Sequence, residues 1–306
     1  MSAFTQVDRV PTALTIAGSD CSGGAGIQAD LKTFAAHGTF GMSVIVSVVA
    51  ENTSRVISVA DVDPQIISDQ IDAVFEDIPV DAVKIGMLSS AACMDAVVAG
   101  LAKWKPRHVV IDPVMYAKGG EPLMAPEAVD HFIEHVLPCA TVLTPNIPEA
   151  QRLADMQIDG TPAMIEAARV LAQRMQPGAA VLIKGGHAQE NAGAAADEFD
   201  AERAEDILWD GSELVSIVSP RFDTPHTHGT GCTLSSAIAA NLALGCSVRD
   251  AVVRGKEYVT GAIARGLGIG HGHGPTNHFH YLYQHGLQGT GPRPDDIEIT
   301  VSTIGA

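Results

Sequence analysis

Basic residues are scarce in this chain of 306, with 19 lysines and arginines against 36 aspartates and glutamates. A formal net charge of −17 excludes a general nucleic-acid or anionic-membrane binder, because either needs a basic face to neutralise phosphates. Cysteine is sparse too. Cys21, Cys93, Cys139, Cys232 and Cys246 are odd in number and never form a CxxC pair. That pattern excludes a disulfide framework and fits a reducing compartment. No secretory leader is visible, since residues 1–10 are polar and charged where a leader needs an apolar run. The longest strongly apolar stretch, residues 42–50, is half the length that spans a bilayer. These absences leave a cytoplasmic protein with a small-molecule partner as the expectation, binding neither nucleic acid nor membrane.

Apolar residues are plentiful. Hydrophobic residues make up 46% of the chain and charged ones 18%, enough to bury a large core. Short apolar runs bounded by turn residues lie at 12–17, 43–49, 81–85, 109–111, 141–143 and 180–183. Between them, apolar residues recur at helical spacing, as in Ile27, Leu31 and Phe34, or Ile66, Ile71, Val74 and Phe75. Strands apolar on both faces belong in a parallel sheet covered by helices, and alternation with helices builds βαβ units. The expected fold is therefore α/β, a doubly wound, mainly parallel sheet with helices on both faces. A hairpin is expected from 207–210 through Gly211-Ser212 to 214–218, then helices over 230–244 and 248–265 joined through Gly245. Residues 1–290 read as one domain and 291–306 as a loosely ordered tail. The small, acidic stretch 188–204 reads as a surface loop.

The first strand runs into Gly18-Ser19-Asp20-Cys21-Ser22-Gly23-Gly24-Ala25-Gly26, ahead of a helix. Ligands of open α/β sheets bind outside the carboxyl ends of strands, so this loop stands at the expected mouth. It matches neither a GxGxxG fingerprint nor a GxxxxGK[ST] phosphate loop, and is either a ligand cradle or a tight turn. Far downstream, Thr227-His228-Gly229-Thr230-Gly231-Cys232 opens another helix. Unpaired N–H groups at the positive end of a helix dipole make an anion site, and a thiol in that first turn is expected to have a lowered pKa. The plainer reading makes Cys232 a small buried hydrophobe. Asp112 ends one strand, while Asn146 and Glu149 follow another at a spacing that lets both face one hydrated phosphate. Glu149 equally suits a helix N-terminus without any ligand. Lys184, before Gly185-Gly186, is a point charge for phosphate or an ordinary solvated lysine.

In order, the segments GSDxSGGAGIQAD, AENT, KIGML, DPVM, TPNxPEA, KGGH and HGTGCTLSxAIAA resemble the hydroxymethylpyrimidine and phosphomethylpyrimidine kinases of thiamine biosynthesis, in the ribokinase-like superfamily. The resemblance runs from residue 13 to residue 280. It implies ATP and Mg²⁺, and phosphorylation of 4-amino-5-hydroxymethyl-2-methylpyrimidine and then of its monophosphate. Gly229, Thr230 and Gly231 match the family's anion hole, Lys184 its phosphoryl-neutralising lysine, and Cys232 the position of the general base. Asp112 and Glu149 would organise the metal, in part through water, and Asn146, Glu149, Lys184 and Thr230 the nucleotide phosphates. For the acceptor, Glu51 would meet the aminopyrimidine edge, Val49, Met87 and Val114 would sandwich the ring, and Gly18 would allow close backbone approach. Asp30 would either hold the glycine loop or act in the site. A homodimer is carried over from the family. A pyridoxal or pyridoxine kinase is the alternative within the superfamily, and a non-catalytic pyrimidine-binding protein the alternative outside it. The late histidines His271, His273, His278, His280 and His285 have glycine and aromatic neighbours rather than a metal-ligand framework. The acidity is local: residues 61–81 hold seven acids and no base, and residues 197–213 hold eight acids against Arg203.

Overall fold

The computed structural model describes residues 9–116, 123–186, 202–285 and 300–304. Ten strands form one sheet: β1 (Thr12–Asp20), β2 (Phe40–Asn52), β3 (Arg55–Asp61), β4 (Ala82–Ile85), β5 (Val109–Ile111), β6 (Val142–Leu143), β7 (Ala180–Ile183), β8 (Arg203–Trp209), β9 (Leu214–Pro220) and β10 (Thr300–Ile304). Their order is β10-β9-β8-β7-β6-β5-β4-β1-β2-β3. From β2 through β1 and β4 to β7 every pairing is parallel, whereas β3, β8, β9 and β10 pair antiparallel. The chain builds outward from β1 through β2 to β3, then returns to place β4 on the other side of β1. This reversal opens a crevice at the carboxyl ends of β1 and β4, where open α/β sheets take ligands.

Helices cover both faces. Alternate strand residues point to opposite sides. Ala13, Ala82, Val110, Val142 and Leu182 pack with Phe34 of α1 (Gly26–Ala36), Leu234 and Ile238 of α7 (Thr230–Ala243) and Val252 of α8 (Val248–Ala264). Leu14, Ile16, Val83, Ile111 and Val181 pack instead with α2 (Pro64–Asp77), α3 (Ala91–Trp104), α5 (Ile147–Ala154) and α6 (Thr161–Gln173). Two short helices, α4 (Pro126–His131) and α9 (His280–His285), complete the α-helices of the described residues, and α4 runs on into a π-turn (Phe132–Val136) and a 3-10 turn (Leu137–Cys139). Full burial of the central strands on both faces is why they read as unbroken apolar runs.

Two elements differ from expectation. Residues 55–61 form an exposed antiparallel edge strand, β3, paired to β2. Its side chains are mixed and solvated, so no apolar alternation marks it. The tail expected to be loosely ordered supplies β10, where Thr300–Ile304 pairs with β9 across five residues. The open backbone edge of β9 supplies the hydrogen bonds that a five-residue peptide lacks alone. Residues 188–201, most of the expected acidic loop, lie outside the described residues.

Candidate active site

The parallel strands deliver residues to a cavity of about 1130 Å³, among them Asp20 from β1, Met87 after β4, Asp112 after β5, Asn146 after β6 and Lys184 after β7. The glycine loop and the N-terminus of α7 close its walls.

Asp20 organises the glycine loop. Its carboxylate accepts from the backbone N–H groups of Ser22 (2.7 Å), Gly24 (3.0 Å) and Ala25 (2.7 Å), from the Ser22 hydroxyl (3.0 Å) and from His228 Nε2 (2.9 Å). Burial alone would raise its pKa, but the bonds from His228, Ser22 and Ala25 outweigh that and hold it down at about 2. The His228 bond ties the loop to the anion turn, 208 residues away in sequence. The two backbones touch. A Cβ on Gly229 would lie 1.8 Å from the Gly24 carbonyl oxygen, and Gly229 has φ +76°, so only glycine fits there.

Gly229 caps α7, and the amides of Gly231 and Cys232 fall in its first turn, where N–H groups have no partner four residues back. The Thr230 amide points back to the Thr227 carbonyl at 3.3 Å, as does its hydroxyl at 2.7 Å, so Thr230 fixes the turn as much as it faces the cavity. Cys232 departs from expectation. Removal from water pushes its thiol up, to about 11; Asp30 and Asp112 add to that, while Lys84 and the Gly26 N–H oppose it. The helix end does not lower the thiol because carboxylates and low solvation surround it.

Lys184 donates to Asp112 at 2.8 Å, and Thr144 Oγ1 shares that carboxylate oxygen at 3.2 Å. Burial pulls the ammonium downward, but Asp112 and Glu149 hold its pKa above the ordinary value. Asn146 and Glu149 form a capping box: Asn146 Oδ1 accepts from the Glu149 N–H, and Glu149 Oε2 accepts from the Asn146 N–H, both at 2.8 Å. Glu149 is thus a helix-start residue and also a cavity wall. Burial raises its carboxyl to about 7, with Asp112 adding and Lys184 opposing.

Gly18, Val49, Glu51, Met87 and Val114 also line the cavity, and polar atoms of Glu51, Asp20 and His228 lie within 4.8 Å of one another. A Cβ on Gly18 would lie 2.7 Å from Met87 Cε, so glycine here lets the methionine cross the floor. The Cys21 thiol meets the Glu51 carbonyl at 3.1 Å, joining the loop to β2. Asp30 is the exception among the expected site residues. It is fully buried behind the wall, bonded to Lys84, Thr15 and Ser236, and does not line the cavity.

Sequence reasoning passed over Asp20, His228, Lys84, Asp206 and Lys256. Asp206 Oδ1 accepts from the Gly185 N–H (2.9 Å) and Oδ2 from Lys256 Nζ (2.6 Å), steadying the turn that carries Lys184. The available signal was a charged residue inside an apolar element, as with Lys84 in Ala82–Ile85.

A model of the phosphomethylpyrimidine kinase family matches residues 20–277. The chain belongs to the phosphomethylpyrimidine kinase family. It is 47% identical to the hydroxymethylpyrimidine/phosphomethylpyrimidine kinase of Rhizobium meliloti over 271 residues, covering 88% of this chain and 97% of that one. It is 48% identical to a thiamine biosynthesis bifunctional protein of Geobacter sulfurreducens over 265 residues, 87% of this chain but 51% of the longer relative. Among solved structures, phosphomethylpyrimidine kinase from Clostridium difficile superposes with a TM-score of 0.71 at 44% identity, covering 83% of this chain and 100% of that one. Pyridoxal kinase from Staphylococcus aureus, in complex with AMP-PCP and pyridoxal, gives 0.82 at 30% identity, covering 97% and 100%. This family and fold make the chain a kinase with a ribokinase-like sheet.

Proposed function

We propose that the chain transfers the terminal phosphoryl group of ATP to the hydroxymethyl group of 4-amino-5-hydroxymethyl-2-methylpyrimidine, and then to the resulting monophosphate. The observation that carries this reading is the cavity's layout. One cavity brings apolar Val49, Met87 and Val114 and the Glu51 carboxylate together with Lys184 and the amides of the Gly229–Cys232 turn. Phosphoryl transfer needs positioning and charge stabilisation more than covalent chemistry, and these are the parts present.

Val49, Met87 and Val114 flank the ring, and the Glu51 carboxylate accepts from its amino group. Gly231 and Cys232 N–H groups receive the moving phosphoryl oxygens, and Lys184 balances their charge. Asp112 and Glu149 offer only oxygen donors, side by side on the cavity wall. That set fits Mg²⁺, which these two residues would hold in part through water. When bound, the ion supplies charge neutralisation for the ATP phosphates. With its thiol at about 11, Cys232 is neutral at pH 7 and serves first to align the hydroxymethyl oxygen. In a loose transition state the acceptor proton leaves late, to an oxygen of the transferred phosphoryl group and on to solvent, so a resident thiolate is not required.

The test is direct. The chain is incubated with ATP, Mg²⁺ and the pyrimidine alcohol, and products are resolved by ³¹P NMR. Monophosphate followed by diphosphate supports both steps; monophosphate alone at exhaustion removes the second, and no ATP-dependent product removes the reading. The pyridoxal kinase likeness, TM-score 0.82, favours a second reading in which pyridoxal is the acceptor. A higher kcat/KM for pyridoxal than for the pyrimidine would select it. The same reading makes the chain a cytoplasmic homodimer. Support comes from unpaired, scattered cysteines and from exposed Val48, Ile57 and Val59 on the β2–β3 edge. No helix among the described residues is long and apolar enough to cross a membrane. Light scattering measures the oligomer.

A further inference from the structure

The geometry points to Lys84 and Asp30 as a buried positioning pair that fixes Cys232 and the anion turn against the acceptor floor during phosphoryl transfer. This rests on the kinase reading above and deepens it.

Both side chains are wholly buried. Lys84 Nζ lies 2.9 and 2.8 Å from the two Asp30 oxygens. Asp30 also accepts from Thr15 Oγ1 of β1 at 2.6 Å and from Ser236 Oγ of α7 at 2.6 Å. One carboxylate therefore joins α1, β1, β4 and α7. Ser236 sits one helical turn after Cys232, so its bond holds the turn of α7 that carries the thiol.

The pair also lies close behind the acceptor floor. A Cβ on Gly86 would meet Lys84 Nζ at 2.7 Å and Ala17 Cβ at 2.9 Å, and the next residues, Met87 and Gly18, line the cavity. Burial would strip the lysine of its charge. Asp30, with Cys232 and Asp112 adding, instead holds its pKa above the ordinary value, so an ammonium stands under the site. That charge is also the main influence opposing the upward push on the Cys232 thiol.

A role in stability alone explains the pair poorly. A buried ion pair stabilises no better than apolar residues of similar volume, and the rest of β4 is apolar. Its value lies in four directional bonds and a fixed positive charge behind the reacting groups.

The experiment uses single-turnover transfer from ATP, whose rate constant reports positioning while its amplitude reports the folded fraction. The acceptor is whichever alcohol the wild type phosphorylates. Lys84→Met/Asp30→Leu removes both charges and leaves no unpaired partner. It is expected to melt near the wild-type temperature, with the rate constant at least tenfold lower and KM for ATP within twofold. Lys84→Gln, which keeps a hydrogen bond to Asp30 without the charge, should show the same loss in rate constant and serves if the double variant does not fold. A folded variant of either kind with the wild-type rate constant, or with loss in amplitude only, overturns the positioning role. A wild-type chain that phosphorylates neither alcohol overturns the kinase reading itself, and the positioning role with it.

Discussion

Replacing Asp20 by asparagine tests how the two loops are held together. The wild-type carboxylate accepts five hydrogen bonds, four of them on one oxygen. An amide can place its oxygen toward Gly24, Ala25 and His228, but its NH₂ then faces the Ser22 N–H, donor against donor. Losing the charge from these bonds and leaving one N–H unmatched costs about 2–4 kcal/mol, with Ser22 exposed enough to relieve part of it. At about 2 cal/mol/K of unfolding entropy per residue, a chain of this length should melt about 3–6 °C lower. The pH dependence has a definite sign. Asp20 is held at about 2 in the folded chain, below its unfolded value. Its contribution of about 2 kcal/mol is present above pH 4 and vanishes as pH falls through 2. The stability gap between wild type and variant should therefore narrow over that acid range. Activity should fall further than stability suggests. His228 adjoins Gly229, and displacing reacting groups by about 1 Å can cost about a hundredfold in rate. The transfer rate should drop about 10–100-fold with little change in KM for ATP. A variant that melts within 1 °C of wild type and transfers within about twofold of its rate would refute the clasp.

Three further outcomes follow from local geometry and burial. Gly229→Ala places a methyl group 1.8 Å from the Gly24 oxygen at a left-handed φ, so transfer should fall at least about a hundredfold. Gly38→Ala, at φ +70° with open space around it, shares the backbone strain without the clash, and should cost about 1–2 kcal/mol of stability and leave transfer unchanged; equal effects on transfer would show that backbone strain alone is at work. In a Cys21→Ser background, iodoacetamide should label Cys232 of the free enzyme ever faster as pH rises from 8 to 10. Alkylation proceeds through the thiolate, and burial places the thiol at about 11. A plateau below pH 9 would show that the turn lowers the thiol after all.

How far this could be read beforehand depended on sequence distance and on burial. The central strands and α7 and α8 were legible because each buries an apolar face that recurs at a fixed period. Edge strands carry no such mark: β3 is exposed along nearly its whole length, and β10 exists by pairing with β9. Site residues after parallel strands were legible for a topological reason, since Asp112, Asn146 and Lys184 all follow β-runs. What stayed hidden was pairing. Nothing near Asp20 indicates that its partner is His228, and nothing in Ala82–Ile85 says that Lys84 is matched by an aspartate on α1. The role of Asp30 stayed open between loop and site for that reason. A carboxylate one turn into the helix behind a glycine loop suits either the site or the wall behind it, and only the position of Lys84 decides.

The same pairing resolves how so acidic a chain makes room for a polyanionic nucleotide. One of the two acidic stretches does reach the cavity, since Asp206 lies on its wall beside Glu202. Asp206 brings no uncompensated charge, because Lys256 and the Gly185 amide occupy both its oxygens. Asp112 is balanced by Lys184, and Asp20 is bonded to His228 and three backbone amides. Each buried aspartate on the wall is thus tied to a basic side chain that another element supplies. The other acidic stretch, over α2 and its flanks, faces outward, with only Ile67 and Ile71 of the helix buried. Net charge therefore says little about the potential a nucleotide meets. An ion pair with partners about 3 Å apart is a dipole whose field falls off faster than that of a lone charge. Salt screens the exposed acids of α2 over about 10 Å, so the pairs in the wall weigh more in the cavity than the surface acidity does.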